Sequence, residues 1–501
     1  MRRLAVIVLY VCACQGTPAV DRSPGARPAQ LVAVFAGRPD DAAKALEVFE
    51  PLLPVELRGA SLREVLGHLL PFPPGVVLRP DAPVVLAAVG DPAAPEWAVA
   101  FFGQVQAAST TTAGGPRGSR LVGSAGAVDG DRIVLASRAE VLATTFPWLA
   151  YDALSRRRPR GWHAELRPRA LSLLRGEAAA LVRRWRARAL REIAEERQRR
   201  PEPPLLDPEA LVAWSSRQAS AVLGVLGDGG GLHAHLLEGE GDGMRLHVEL
   251  TPRAGTRLAR RLAAEAAEAV APVPLGALPA GTAFAWWRAR PESSWSELFL
   301  DAAGERLEPE RAAALRRRSA SPPSLVLAAG EAPGAWALAG GAGPTPAGLD
   351  AALGARVTRD LLGAALGCER ADTELSGGRA RLCGGAPSLF ASERDGRWTV
   401  ALAREPLRVR WARRGPGTLG ADPRAALGLP EEASGVLFLD PARLVGGLRR
   451  LLVGTPALSP RRSAPAVVSW RRLEDRVAVD LFLAPGALAE LAAIGVRLDG
   501  S

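Results

Sequence analysis

The chain has 501 residues, 48% of them hydrophobic, and a formal net charge of +10; it is long enough for about two to four domains, each with a buried core. Lys44 is the only lysine, which excludes a P-loop nucleotide site, where Gly-Lys-Ser/Thr is required, and a pyridoxal enzyme, where a Schiff-base lysine is required. Asparagine is absent and arginine supplies the rest of the positive charge, a pattern of GC-rich codon usage. The basic balance therefore argues only weakly for a polyanion: nucleic acid is set aside, and anionic lipid or polysaccharide surfaces stay open.

Met1-Arg2-Arg3 followed by the unbroken apolar run Leu4–Val11 has the form of an export signal. The run is much shorter than the about 20 residues a spanning helix needs. Val11-Cys12-Ala13-Cys14 resembles the lipobox of bacterial lipoproteins, in which a small residue precedes a cysteine that is acylated and becomes the mature N-terminus. The resemblance implies a signal over residues 1–14 and a lipid anchor on Cys14, held by about 0.8 kcal/mol per buried methylene. Gln15 stands where an Asp would signal inner-membrane retention, which implies the outer membrane. A plain secretory signal cut near Ala13 is the alternative. Residues 15–30, rich in Pro, Gly and small side chains, read as a flexible tether.

Residues 84–100 (VVLAAVGDPAAPEWAVA) and 325–339 (LVLAAGEAPGAWALA) share a strand, a Pro-containing turn and a Trp-bearing strand. Three further pairs follow in the same order: DGDRIVLASRAEVL from Asp129 with DGRWTVALAREPL from Asp395, AELRPRALSLLRG from Ala164 with LFLDPARLVGGLR from Leu437, and MRLHVELTPRAGTRLARRL from Met244 with RVAVDLFLAPGALAELAAI from Arg476. Four landmarks in one order predict two tandem copies of an α+β unit, each an antiparallel sheet with helices on one face, over residues 31–270 and 275–501.

Within the first copy, residues 165–228 are expected to be a helical insertion. Pro168 sits where a helix begins, and Leu171, Leu174, Ala178, Leu181, Trp185, Ala189 and Ile193 fall at spacings of three and four, predicting a helix from Pro168 to Arg200. Asp207-Pro208-Glu209 caps a second helix to about Leu226, so the two read as an αα-hairpin. Its outer face carries Arg183, Arg184, Arg186, Arg188, Arg191, Arg197, Arg199 and Arg200. Such a face either lies on an anionic surface or is the solvated side of a packed helical pair, with Glu177, Glu192, Glu195 and Glu196 offsetting part of the charge. The packed pair is the expectation.

Leu278-Pro279-Ala280-Gly281-Thr282-Ala283-Phe284, echoed by Leu429-Pro430-Glu431-Glu432-Ala433-Ser434-Gly435-Val436, resembles exported bacterial families of unknown function, in which a Leu-Pro turn introduces each β-unit. The resemblance implies the architecture and no catalytic residue. Trp286, Trp287 and Trp295 form either core or a carbohydrate-facing apolar patch, and core is the expectation.

Beyond the signal lie two cysteines, Cys368 and Cys383, with the hairpin-type turn Ser376-Gly377-Gly378 between them. In an oxidising compartment the pair is expected as a disulfide, worth about 3 kcal/mol in the entropic account of loop closure; two free buried thiols are the alternative. Three of the five histidines, His233, His235 and His247, fall in one predicted hairpin from Leu232 to Leu250. Alternation puts His233 and His235 on one face of the first strand and Arg245, His247 and Glu249 on one face of the second, with Leu246, Val248 and Leu250 turned to the core. With the turn near Glu240-Gly241 the imidazoles converge, and three histidines with an open fourth position are a catalytic zinc arrangement. The alternative is a polar sheet face beside Arg245; the second copy has Val477, Val479 and Leu481 on the corresponding strand.

Gly239, Gly241 and Gly243 join two strands, so the dinucleotide fingerprint fails, and G-x-S-x-G, H-E-x-x-H and paired C-x-x-C are absent. The sequence thus points to a non-catalytic cell-envelope lipoprotein acting as a binding or scaffold protein without a cofactor. Its partners would be the membrane, through the N-terminal lipid, and an envelope protein or lipid ligand. A hydrolase built on a metal or a Ser-His-Asp triad is the alternative.

Overall fold

Runs of β-branched and aromatic residues broken by Gly, Pro and Asp turns make most of the regular structure strand. The fold mixes helix and sheet, and antiparallel pairing dominates. The computed structural model describes residues 27–39, 75–105, 110–111, 119–121, 125–156, 160–199, 208–238, 243–264, 270–289, 325–330, 336–342, 372–375, 378–381, 388–394, 397–403, 416–441, 443, 464–473 and 475–487. Cys14, Lys44, Asp207, the Glu240-Gly241 turn, Trp295, Cys368 and Cys383 lie outside the described residues. The chain divides into two compact units, Met1–Glu177 with Val225–Ala263, and Ala178–Gly224 with Ala264–Ser501.

The first stretch of elements is β1 (Leu31–Gly37), β2 (Val76–Leu78), β3 (Val84–Asp91), β4 (Ala94–Val105), β5 (Thr110–Thr111), β6 (Ser119–Leu121), β7 (Ala125–Asp129), β8 (Arg132–Ala136), α1 (Ala139–Trp148), β9 (Trp162–Leu166), α2 (Pro168–Arg199), α3 (Pro208–Gly227), β10 (Gly229–Glu238), β11 (Met244–Pro252) and α4 (Arg257–Ala264). The strands of the first unit pair antiparallel in the order β5-β6-β7-β8-β4-β3-β1-β9-β10-β11, with β2 on the end of β4. On one face Val34, Ala36, Val85, Ala87, Ala98, Ala100, Val134 and Ala136 are buried with Val141, Leu142, Phe146 and Trp148 of α1. Alternating alanines on the sheet leave room for the helix to sit close. Pro147 brings no N–H to the helical ladder, and the helix widens into a π-turn at Leu149–Ala153 just beyond it. The opposite face buries Val84, Val99, Phe101, Ile133 and Leu135. Burial on both faces is why β3 and β8 read as continuous apolar runs instead of alternating ones.

The second unit holds β12 (Ala271–Pro272), β13 (Thr282–Arg288), β14 (Leu325–Gly330), β15 (Trp336–Ala342), β16 (Asp372–Leu375), β17 (Gly378–Arg381), β18 (Ser388–Arg394), β19 (Arg397–Ala403), α5 (Pro423–Gly428), β20 (Glu432–Ala433), β21 (Gly435–Leu439), β22 (Ala466–Arg472) and β23 (Val477–Leu483). Its main order is β16-β17-β18-β19-β15-β14-β13-β21-β22-β23, again antiparallel throughout. The core gathers Ala285, Trp287, Val326, Ala328, Val436, Phe438, Val467 and Phe482 beneath Leu275, Leu278, Leu419 and Ala425. Trp287 is therefore a core residue, whereas Trp286 alternates to the other face and is half-buried.

A charged knot ties this core together. Asp440, fully buried, accepts from the backbone N–H of Arg443 at 3.2 Å and pairs with its Nε at 3.2 Å. The same guanidinium donates to the carbonyls of Ala280 and Thr282 in the Leu-Pro turn and its strand. Its Nη2 also lies 3.8 Å from Asp422, whose carboxylate caps α5 by accepting from the N–H groups of Arg424 and Ala425. Among the described residues no helix is long and apolar enough to cross a membrane.

Candidate functional site: an ionisable face on three strands

In β9, β10 and β11 the sequences WHAEL, LHAHLL and RLHVEL alternate ionisable with apolar residues, so each strand turns one polar edge to the same side. The registers align these edges. His235 lies opposite His163 on β9 and opposite His247 on β11, and His233 lies opposite Glu165 and Glu249. Six ionisable side chains thus form two rows of three, His163-His235-His247 and Glu165-His233-Glu249. The next strand over, β1, sets Ala36 opposite His163 and Val34 opposite Glu165. One continuous sheet face therefore passes from apolar core under α1 to a polar strip. His233 is exposed and the other five are half-buried.

The rings of His163 and His235 stack, with centroids 4.0 Å apart and planes 15° from parallel. His235 Nε2 is 2.8 Å from the carbonyl of Arg160; a carbonyl only accepts, so Nε2 carries the proton. Gly161 makes this contact sterically feasible. Its φ is +98°, and a Cβ there would stand 2.3 Å from the Leu236 carbonyl. His247 Nε2 lies 3.4 Å from Glu249 Oε1.

Glu165 pairs with Arg27 at 2.7 Å and with Arg167 at 3.2 Å. Burial raises its pKa, but the Arg27 hydrogen bond and the charges of Arg27, Arg167 and His233 outweigh burial and hold the carboxyl below its usual range.

His233, His235 and His247 share a face, as alternation requires, but they do not converge. His233 sits one row away between two carboxylates, and the stacking of His235 on His163 puts the in-plane lone pairs of those two rings in near-parallel planes about 4.0 Å apart, where they do not meet at one point. Among the described residues no group of three or more His, Cys, Asp or Glu side chains is placed to hold a metal ion. The strip can instead exchange several hydrogen bonds at once, and imidazoles are the side chains whose ordinary pKa lies between about pH 5 and 8. Reading the hairpin by itself missed His163 and Glu165. The alternation in Trp162-His163-Ala164-Glu165-Leu166 carries the signal, but their placement depends on a pairing with β10 across the whole helical segment.

Comparison of the chain with protein-family models, curated proteins and solved structures gave no match in any of the three. The geometry stands by itself as the basis for a functional reading.

Proposed function

We propose that this protein is a non-catalytic cell-envelope lipoprotein, anchored through acylated Cys14, whose exported part is two copies of one antiparallel α+β unit. The ionisable strip of the first copy is its binding surface. Support for the duplication comes from strand order: β1, β3, β4, β7, β8, β9, β10 and β11 correspond in sequence and in pairing to β13, β14, β15, β18, β19, β21, β22 and β23. On this reading α2 and α3 are the insertion, since they fall between β9 and β10.

The observation that carries the binding reading is what stands at the strip's positions in the second unit. Counted by register, Glu165 and His163 correspond to Phe438 and Val436, His233 and His235 to Val467 and Ser469, and Glu249 and His247 to Phe482 and Asp480. The alignment by sequence alone paired β11 with β23 one residue out of step, which brought up Val479 and Leu481 from the wrong face. Five of the six counterparts are buried, Phe438 and Val436 completely. A face that closes as apolar core at four of these six positions in one unit carries three histidines, a fourth exposed one and two carboxylates' worth of desolvation cost in the other, which folding does not require.

Two experiments test this. Replacing His163, His233, His235 and His247 together with valine, which stands at the counterparts of His163 and His233 in the second unit, is expected to leave the fold intact and the melting temperature unchanged or higher. A collapse of stability would make the histidines structural and remove the binding reading. For the anchor, Cys14→Ser is expected to abolish incorporation of labelled palmitate and partition into the detergent phase; an unchanged partition would sink the lipoprotein reading.

A further inference from the structure

We propose that the middle of α2 is a docking surface for anionic phospholipid headgroups. The packed-pair expectation makes a specific demand on this helix. Trp185, the largest side chain on the apolar stripe, should be covered best. It keeps 42% of its surface exposed. Residues 183–187 are all exposed, and five consecutive residues turn through more than 360° at 3.6 per turn, so at this level the helix shows solvent an exposed residue on every side.

What it presents there is charge of one sign. The nine residues from Arg183 to Arg191 contain five arginines and no acid. Arg183, Arg184, Arg186 and Arg191 are exposed, and none makes an ion pair among the described residues. Arg188 is spoken for, by Glu192 at 2.8 Å one turn on. By helical spacing Arg184 and Arg188 flank one side of Trp185 and Arg186 the other, while Arg191 continues the row of Arg184.

Guanidinium groups match phosphate oxygens in shape and charge, and an indole with one apolar and one polar edge settles at the depth of the headgroups. Arginines around an exposed Trp on a helix lying flat are the complement of an anionic bilayer surface. A purely solvated face has no use for the tryptophan. A protein partner with an acidic groove is the competing occupant, and it fits less well because the exposure runs around the helix instead of along one side of it.

The inference stands apart from the acyl anchor and is tested without it. The full chain carrying Cys14→Ser is sedimented with large vesicles of phosphatidylglycerol and phosphatidylcholine, and with phosphatidylcholine alone. Binding is expected only to the anionic vesicles and is expected to weaken as salt is raised. Each basic side chain near such a surface contributes about fivefold in affinity, so replacing Arg183, Arg184, Arg186 and Arg191 with Gln should weaken binding by at least about a hundredfold. Trp185→Ala should weaken it severalfold with little dependence on salt.

A control variant neutralises the exposed Arg38, Arg253, Arg257 and Arg260 and removes the same net charge elsewhere. Equal loss in the control, or binding indifferent to phosphatidylglycerol, overturns the proposal. Should the fourfold variant lose its helical circular dichroism, the pairs Arg183/Arg184 and Arg186/Arg191 are replaced separately, and unchanged binding by both overturns it equally. Failure of palmitate labelling at Cys14 would leave these results untouched, so the two readings fail separately.

Discussion

Replacing Asp440 with alanine removes a carboxylate that has no solvent exposure and leaves Arg443, whose side chain is 19% exposed, without the partner of its Nε and of its backbone N–H. Deleting one member of a buried pair costs about 3–5 kcal/mol. Asp422 stays 3.8 Å from the same guanidinium, which puts the expected loss at the lower end, about 3 kcal/mol. For a unit of this size each kcal/mol lowers the melting temperature by about 2–4 °C, so near-ultraviolet circular dichroism should report a fall of about 6–12 °C. Asp440→Asn keeps an acceptor for the Arg443 N–H and should lose roughly half as much. The double variant Asp440→Ala with Arg443→Met removes both charges, and is expected to recover part of the loss, because the stranded guanidinium is the costly part. A fall of less than about 2 °C for Asp440→Ala would refute the view that this knot holds the second unit together.

In the first unit, the Glu165 carboxyl has its pKa held down in the folded state, so its contribution to stability is present above the unfolded carboxylate value of about 4.3 and is lost as pH falls through the folded value. The gap in urea midpoint between the natural chain and Glu165→Gln should therefore be full at neutral pH and close on acidification; a gap that stays constant down to about pH 3 would contradict the Arg27 pairing. Gly435→Ala sets a Cβ 2.0 Å from the ring of Trp470 directly across the strand pair, and should cost about 1–3 kcal/mol in thermal unfolding; a neutral result would mean the ring swings aside freely. For Cys368 and Cys383, maleimide labelling of exported protein under denaturing conditions is expected only after reduction, and labelling without reductant would show free thiols.

Local signals determined the two long helices: α2 runs from Pro168 to Arg199, within a residue of the span set by apolar spacing, and α3 ends at Gly227, within a residue of the end expected for the helix capped at Asp207-Pro208-Glu209, because a helix satisfies its backbone locally and its signal is local too. Alternation likewise determined that His233 and His235 point one way and Leu232 and Ala234 the other. It had no means of naming neighbours. That β9 lies between β1 and β10, bringing His163 and Glu165 into the histidine rows, was decided by long-range hydrogen bonding, which no window of residues contains. The same division explains the metal reading: one face was legible, but convergence depends on each ring's neighbours, and these are His163 for His235 and carboxylates for His233 and His247. Trp185 makes the point from the other direction. Its place on an apolar stripe followed from spacing, but how far each residue of that stripe is covered depends on what packs beside the helix, and tertiary structure leaves this indole 42% exposed where Leu171 is buried.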